Sequence, residues 1–408
     1  MKTQELQTSQ HAIDFINEKA NYDRNFIELL MASLRKAKSA AQSSLDTQLY
    51  NILSWPLDIY EYSAYLKEFA SWIPQQSNNP AWKDPKTGNS QEVYDRLCHF
   101  YYLIDQEVGP NESTIVQNID WFSKWLVGYA NLWGSFLNTT DSFNDEILES
   151  FIKYSPKYRI QDSMIDGKPN RPGGWQTFNQ FFSRELNPGL RPIANPKDNT
   201  TITSPADCTY RMMYQIDENS TIPEITMKKT HKFASIPELL KDSQYANAFA
   251  NGTFVHYFLG PYSYHRFHTP VAGILKECYA VQGLTYLEVN LKDRQFDAPD
   301  NSEGGYEFTQ ARGIVTIDTS QSPYGDMGIV AVIPVGMCQV SSVNMTAQAG
   351  ENATVEKGDE FGYFLFGGSD IILLFQEGKA PEINTCDHYR HYGTDISTCP
   401  PEILEKNS

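Results

Sequence analysis

The 408-residue chain lacks any long apolar segment. Its first residues, Met1 to Gln7, contain no apolar stretch of signal-peptide length, and no run reaches the roughly 18 apolar residues of a membrane span. Basic residues are also scarce, because 33 Lys and Arg stand against 50 Asp and Glu, for a formal charge of −17. Such an acidic chain is not expected to bind nucleic-acid phosphates or to dock a basic face on an anionic membrane. We therefore predict a soluble, cytoplasmic protein with no nucleic-acid partner.

Cysteine is infrequent and widely spaced. The six cysteines form no CxxC pair and no zinc signature, so reduced thiols that are buried as small hydrophobes are expected in a cytosolic chain. One cluster, formed by Cys386, His388, His391 and Cys399, invites a metal-site interpretation. Its spacing fits no standard site, and no metal is predicted.

Residues 1 to about 155 show helical periodicity. The clearest segment has Ser113 as its N-cap and a single apolar stripe at steps of three and four residues, formed by Ile115, Ile119, Phe122, Leu126, Tyr129, Trp133 and Leu137. Six of the seven tryptophans lie in this part of the chain. We interpret them as core residues rather than as a membrane-facing or substrate-facing surface, because the helices carry few Lys and Arg on their polar faces.

A connector rich in Gly, Pro and Asn at residues 166–174 precedes a change of pattern to short apolar runs. The predicted elements are strands at 253–259, 274–281, 313–318 and 328–335, a hairpin around Ser369, a helix at 236–241 and an extended tail at 378–408. These patterns predict an α+β fold. We place a helical N-terminal domain at residues 1–172 and a mainly β catalytic domain at residues 173–408.

Ser369 is the candidate reactive residue. It lies in the segment FGGSD at 366–370, which by itself indicates only a turn between two strands. Asp207, His265 and His268 come from two other segments. A hydroxyl, an imidazole and a carboxylate are the groups with which a general base activates a weak nucleophile. The structural alternative is that Asp207 caps a turn and the histidines satisfy backbone groups.

Five motifs in order carry a resemblance to a known family. They are FFSRELNPGLRPI at 181–193, SPAD at 204–207, YHRFHTP at 264–270, VG at 335–336, and KGDEFGYF at 357–364 running into GGS at 367–369. Together they resemble the phosphatidylserine decarboxylase family over roughly residues 175 to 376. The helical N-terminal part is similar to a soluble branch that includes fungal decarboxylases of free tryptophan.

The resemblance implies that the chain processes itself. His268, oriented by Asp207, would take the proton of Ser369, whose oxygen attacks the carbonyl of Gly368. Cleavage between Gly368 and Ser369 would leave a pyruvoyl group on a fragment of 40 residues, 369–408, so the two cleaved chains become partners. The pyruvoyl ketone would act as the electron sink for decarboxylation of a primary amine, with no external cofactor. His265 or His268 would then reprotonate the substrate carbon.

Two positions depart from the family pattern. Cys208 follows SPAD where glycine is usual, so the turn would not easily take a positive φ there. Asp370 stands where Ser or Thr is commoner. Its carboxylate is a candidate contact for the substrate ammonium group, and it is also a candidate for slowing self-cleavage.

The sequence leaves several functions open. We favour a soluble, possibly aromatic, L-amino acid as substrate, because the chain has no basic amphipathic segment. Phosphatidylserine decarboxylation with peripheral membrane contact at the headgroup is the alternative. A Ser-His-Asp hydrolase is a third reading, although the G-x-S-x-G elbow is absent. A binding protein that retains the fold without processing is a fourth.

Overall fold

A computed structural model describes residues 8–227, 231–298, 306–337 and 343–402 of the chain. The chain divides into two compact units that alternate along the sequence. The first unit comprises Met1–Ile160, Trp175–Phe181 and Leu284–Pro299, and the second comprises Gln161–Gly174, Phe182–Gly283 and Asp300–Ser408. The domain boundary at residues 172 and 173 remains a prediction.

Helices dominate the N-terminal part of the described chain. They are α1 Ser9–Tyr22, α2 Arg24–Ser44, α3 Thr47–Ile52, α4 Ile59–Phe69, α5 Glu92–Tyr102, α6 Asp120–Phe136, α7 Asp145–Tyr154 and α8 Phe178–Phe182, with α9 Ile236–Leu239 further along the chain. Several begin at a side chain that accepts a hydrogen bond from a free backbone amide of the first turn, as Asp23, Asp58 and Asn144 do. Such caps explain where these helices begin.

The predicted helix with Ser113 as its N-cap begins later than expected. Helix α6 starts at Asp120, and Thr114–Ile115 instead forms a short strand. The hydroxyl of Ser113 donates to the carbonyl of Pro110 and does not cap a helix. The N-cap prediction is therefore wrong, because a local side-chain hydrogen bond and a short strand interrupt the apolar stripe upstream of the helix.

Four of the seven tryptophans, Trp82, Trp125, Trp133 and Trp175, are buried in the core of the first unit. Trp125 and Trp133 are buried in α6, and the ring of Trp133 lies 5.1 Å from that of Phe69 and 5.6 Å from that of Trp72. Tyr129, between them on the same face, is fully buried. The core interpretation is confirmed for the buried tryptophans, whereas Trp55, Trp72 and Trp121 are only partly buried. Within the described ranges, no helix is both long enough and apolar enough to cross a membrane.

Antiparallel strands dominate the second unit. The strands of the described chain are β1 Glu107–Val108, β2 Thr114–Ile115, β3 Met164–Ile165, β4 Lys168–Pro169, β5 Cys208–Gln215, β6 Thr221–Met227, β7 His231–Ser235, β8 Thr253–Leu259, β9 Arg266–His268, β10 Gly273–Val281, β11 Asn290–Lys292, β12 Gln295–Asp297, β13 Arg312–Asp318, β14 Ile329–Gly336, β15 Val343–Met345, β16 Thr354–Val355, β17 Glu360–Phe364, β18 Ser369–Phe375 and β19 Tyr389–Arg390. Eight of them form one sheet in the order β16-β10-β13-β14-β18-β8-β5-β19. The α+β prediction is confirmed.

Strand β18 lies in the middle of the eight-stranded sheet and is buried throughout. Ile371, Leu373 and Phe375 pack into one core, together with apolar residues of the three-stranded sheet β15-β17-β9. Ile372 and Leu374 pack into a second core on the other face. This alternation follows from the pleat of a strand, in which successive side chains point to opposite faces. Each residue of β18 therefore belongs to one of the two cores.

The predicted hairpin around Ser369 is not formed. Strand β17 pairs with β9 and β15, whereas β18 pairs with β14 and β8. The glycine-containing segment 365–368 therefore passes from one sheet to another. Long-range pairing overrides the local turn signal here, and it makes Ser369 the first residue of a central strand.

The predicted extended tail at 378–408 is wrong for residues 378–402, and residues 403–408 lie outside the described part of the chain. Strand β19 adds to the edge of the large sheet through pairing with β5, and Arg390 is fully buried. The amide of Gly393 donates to the carbonyl of Ser204 at 2.9 Å, and the amide of Ser204 donates to Thr394 at 2.7 Å. The C-terminal segment is thus an integral part of the second unit.

Lys357 holds the loop at residues 195–201 through its side chain. Its side chain is buried, and Nζ donates to the carbonyls of Asn195 at 2.8 Å, Asp198 at 2.5 Å and Thr201 at 2.7 Å. Because Lys357 is buried, these carbonyls replace the water that would otherwise solvate its ammonium group. The ammonium group is therefore a structural cation in the KGDEFGYF motif.

We predict that Lys357→Met lowers the free energy of unfolding by about 1–3 kcal/mol or more, because it removes three hydrogen bonds donated by a buried charged group. The exposed pair of Lys379 and Asp326, at 3.2 Å, provides the matched control. Lys379→Met should cost less than about 1 kcal/mol, as for other surface ion pairs. Thermal and urea unfolding of both variants measure the difference, and equal effects would contradict the structural role of Lys357.

Candidate active site

The hydroxyl of Ser369 is fully buried and lies beside an imidazole. Oγ is 3.2 Å from Nδ1 of His265. Ser369 pairs with Gly336 of β14 on one side and Leu259 of β8 on the other, so its backbone is fixed from both directions. It is followed by a strand and not by a helix, which differs from the nucleophile elbow of a serine hydrolase.

The contacts of His265 define which ring nitrogen acts as a base. Nε2 lies 3.4 Å from the carbonyl of Pro261, and a carbonyl oxygen can only accept, so Nε2 carries the hydrogen. Nδ1 then presents its lone pair to the hydroxyl of Ser369. Burial, followed by the charge of Arg184, lowers the pKa of His265 to about 3. The ring, stacked on Phe182 with centroids 3.9 Å apart, is therefore a neutral acceptor near pH 7.

A backbone amide polarises the carbonyl that precedes Ser369. The N–H of Met337 donates to the oxygen of Gly368 at 2.8 Å. A fixed donor on a carbonyl stabilises negative charge when a nucleophile adds to that carbon. The sequence gives no side-chain signal for such a donor, although the VG motif at 335–336 lies directly before it.

His268 has a different environment from the predicted one. Nδ1 lies 2.9 Å from the carbonyl of Gly358, and Nε2 lies 3.2 Å from the hydroxyl of Tyr264. Burial lowers the pKa of His268 to about 4, opposed by the Gly358 hydrogen bond and the charge of Asp207. Both ring nitrogens are engaged, so the structure pairs Ser369 with His265 and not with His268.

Asp207 is held by an arginine and by the C-terminal segment. Its carboxylate accepts from Nη2 of Arg191 at 2.7 Å and from the amide of Tyr392 at 2.8 Å. The hydrogen bonds of Asp207 described here go to Arg191 and Tyr392, so orientation of His268 by Asp207 remains a prediction. Its negative charge still acts on His268, because it raises the pKa of that imidazole.

Asp370 lies on the face of β18 opposite Ser369. Its carboxylate is fully buried, and Oδ1 is 3.3 Å from Nε2 of His256. Burial, with a further contribution from Asp370, raises the pKa of the nearby Glu307 to about 7, and His256 opposes this shift. The predicted contact of Asp370 with a substrate ammonium group is not supported, because successive side chains of a strand point to opposite faces.

Two further sequence signals have definite outcomes. Cys208 begins β5 in the extended conformation, so its side chain causes no strain where the family usually has glycine. Cys386 and Cys399 form a disulfide, and the prediction of reduced thiols is wrong for this pair. His388 joins them in a cluster whose donor atoms lie within 4.8 Å of one another and have the residue types of a metal site. A disulfide, however, leaves no thiolate to bind a metal.

Comparison with known proteins gives consistent names. A family model described as "Phosphatidylserine decarboxylase" matches residues 178–393. "Phosphatidylserine decarboxylase proenzyme 2" of Oryza sativa subsp. japonica is 36% identical over 203 residues, 50% of this chain and 30% of the relative. "Phosphatidylserine decarboxylase proenzyme" of Chlamydia trachomatis serovar L2 is 34% identical over 228 residues, 55% of this chain and 67% of the relative. "Decarboxylase iboD" of Amanita muscaria is 29% identical over 266 residues, 60% of this chain and 73% of the relative.

The low pKa values of His265 and His268 predict a pH-dependent stability. Both imidazoles are neutral in the folded protein down to pKa values of about 3 and about 4, whereas an unfolded histidine titrates near 6.5. Protonation therefore favours the unfolded state, and this contribution to stability is lost as the pH falls below about 6.5.

We expect urea unfolding of an uncleaved Ser369→Ala protein to show falling stability between pH 7 and pH 5. The fall should be less steep when His265 or His268 is also replaced by Gln, since one such proton-binding site is then absent. The difference between each variant and its parent isolates the histidine from other titrating groups, such as Glu307. Equal slopes in all three proteins would contradict the burial of neutral imidazoles.

Proposed function

Because the chain belongs to the phosphatidylserine decarboxylase family, a family of pyruvoyl-dependent carboxy-lyases, we propose that it is a self-processing decarboxylase that converts phosphatidylserine to phosphatidylethanolamine. The resemblance carried by the five motifs is confirmed at the level of the family. One observation carries the assignment of chemistry. The hydroxyl of Ser369 contacts a neutral imidazole at 3.2 Å, and the carbonyl to be attacked, that of Gly368, has a fixed amide donor at 2.8 Å.

Self-processing begins with proton transfer. Nδ1 of His265 takes the hydroxyl proton of Ser369, and Oγ attacks the carbonyl carbon of Gly368. The Met337 amide stabilises the oxyanion. The imidazolium of His265 returns its proton to the nitrogen of Ser369 as the peptide C–N bond breaks, which gives an ester at Oγ and a free amine. Loss of the Cα proton of residue 369, with breakage of the Cβ–Oγ bond, then releases the Gly368 carboxylate. Water adds to Cα in a second step, and the amine nitrogen leaves as ammonia.

The surroundings of Ser369 fit a pyruvoyl group formed in place. Every residue of β18 is paired with both β14 and β8, so this strand remains held after the bond to Gly368 breaks. The group supplies an electron sink for the loss of carbon dioxide from a primary amine. His265, relieved of the hydroxyl, moves a proton between Nδ1 and the substrate α-carbon. The ring of Phe182 covers His265 and excludes water from one side.

We predict that the purified protein separates, when denatured, into fragments 1–368 and 369–408 by intact mass. Ser369→Ala should remain at full mass. His265→Ala should slow cleavage by about 10²-fold or more, as expected for loss of a general base. His11→Ala, in helix α1, is the control and should cleave like the parent.

Two results would overturn this assignment. A parent protein that stays at full mass after long incubation would show that Ser369, His265 and Gly368 do not react together. Labelling of intact Ser369 by a fluorophosphonate would then favour a hydrolase. The absence of both cleavage and labelling would favour a binding protein.

The substrate proposal depends on the relatives. Two of the relatives above carry phosphatidylserine decarboxylase in their names, and these support a phospholipid headgroup. A free amino acid is the second candidate function. It is favoured by the similarity to "Decarboxylase iboD", which extends over 73% of that relative and whose name includes no lipid. The preference for an aromatic amino acid has no further support.

We expect the cleaved protein to form phosphatidylethanolamine from vesicles that contain phosphatidylserine, as measured by lipid mass spectrometry. Vesicles of phosphatidylcholine alone and the Ser369→Ala protein are the controls. A parallel panel of free amino acids, including serine and tryptophan, should release no carbon dioxide. Turnover of a free amino acid without turnover of the lipid would replace the first candidate by the second.

A further inference from the structure

The C-terminal segment contains a closed loop that reaches the site. We call residues 386–399 the disulfide loop, because Cys386 and Cys399 join its ends across a sequence separation of 13. It lies on the C-terminal side of Ser369. The fragment that carries the reactive residue therefore also carries this loop.

Tyr392, near the middle of the disulfide loop, contacts both His268 and Asp207. Its ring stacks on the imidazole of His268 with centroids 3.8 Å apart and an interplanar angle of 4°. Its amide donates to Oδ1 of Asp207 at 2.8 Å. The ring of Tyr264, whose hydroxyl contacts Nε2 of His268, lies 5.6 Å from that of Tyr392.

Stacking and hydrogen bonding restrain different degrees of freedom. The hydrogen bonds of Nδ1 and Nε2 lie in the imidazole plane and fix the direction of the His268 nitrogens. The parallel ring of Tyr392 restrains the tilt of that plane. The Tyr392 amide shares Asp207 with Arg191, so the carboxylate is also held from two sides.

The disulfide loop is fastened to the unit at several points besides its disulfide. Tyr389 and Arg390 pair with Thr209 and Cys208 of β5. The buried guanidinium of Arg390 donates from Nη1 to the carbonyls of Asp395 and Thr398, both at 3.3 Å. The loop backbone therefore has a defined conformation, and the covalent bond at its base limits how far it can open.

We propose that Tyr392 is a positioning residue for His268 and Asp207, and that the disulfide between Cys386 and Cys399 keeps it in place. The inference rests on the proposed function in one respect, since self-cleavage at Ser369 is one of its readouts. Reduction would convert the disulfide and two thiols of an external reductant into two cysteine thiols and the oxidised reductant. The freed loop would then hold Tyr392 less firmly against His268.

The first test needs no enzymatic activity. In a Ser369→Ala protein labelled with ¹³C-histidine, the His268 signal is identified by its loss in His268→Gln. Tyr392→Leu should move this signal downfield, because the ring-current shift of the stacked tyrosine is lost. Tyr392→Phe should keep it close to its parent position, and Tyr60→Leu, an exposed residue of α4, should leave it unchanged.

The second test measures the rate of self-cleavage and its pH profile. Tyr392→Leu should slow cleavage by about tenfold to a hundredfold, because His265 lies directly before the short strand β9 that ends at His268, and a shift of His268 misplaces the base as well. Tyr392→Phe should restore most of the rate. The Cys386→Ser/Cys399→Ser variant and parent protein treated with a dithiol should change in the same direction as Tyr392→Leu. Alkylation before and after reduction should differ by two cysteines.

The two tests separate the failure of each proposal. An unchanged His268 signal in Tyr392→Leu, or a cleavage rate and pH profile equal to the parent's, would overturn the role of Tyr392. Equal alkylation before and after reduction would overturn the role of the disulfide. If the His268 signal moves as expected in the Ser369→Ala background but the protein with Ser369 never cleaves, the positioning contact is retained and the self-processing function is rejected. If Tyr392→Leu fails to fold, the reductant-treated parent gives the same readouts without a substitution.

Discussion

The pairing of β18 with both of its neighbours is the constraint on which the site depends. Ser369 is the first residue of this strand, and its partners are Gly336 and Leu259. The chain turns away immediately before it, which leaves the carbonyl of Gly368 to accept from the amide of Met337. The nucleophile and the polarised carbonyl are thus fixed by the same hydrogen-bonded ladder. Cleavage between residues 368 and 369 would remove only the covalent link at the strand's end.

The sidedness of that strand separates two buried polar groups. Ser369 lies on the same face of β18 as Ile371, and this face packs against apolar residues of β9 and β17. His265 directly precedes β9 and therefore reaches the hydroxyl of Ser369. Asp370 faces the other core and lies against His256. A carboxylate one residue from the nucleophile is therefore kept from contacting it, since a pleated strand separates the two side chains. Asp370, His256 and Glu307 therefore form a separate buried polar group on the second face, away from Ser369.

The C-terminal segment connects the reactive strand to the rest of the site. It leaves β18, returns to pair with β5 and brings Tyr392 against His268 and Asp207. Strands β18 and β19, which both follow Gly368 in the sequence, are thus held in the same large sheet. After the proposed cleavage, this pairing would hold the 369–408 segment in register with the rest of the second unit.

The sequence by itself determined the family, the α+β class, the aromatic core and most strands, because these depend on motifs and on local periodicity. It also identified Ser369 and both histidines. Only the tertiary structure decided which imidazole contacts Ser369, because a spacing of three residues does not fix the direction of either ring. The same holds for the Met337 amide, which any residue type would provide, and for the disulfide loop, whose polar sequence resembles a tail. Long-range pairing decides these features, and no local pattern encodes it.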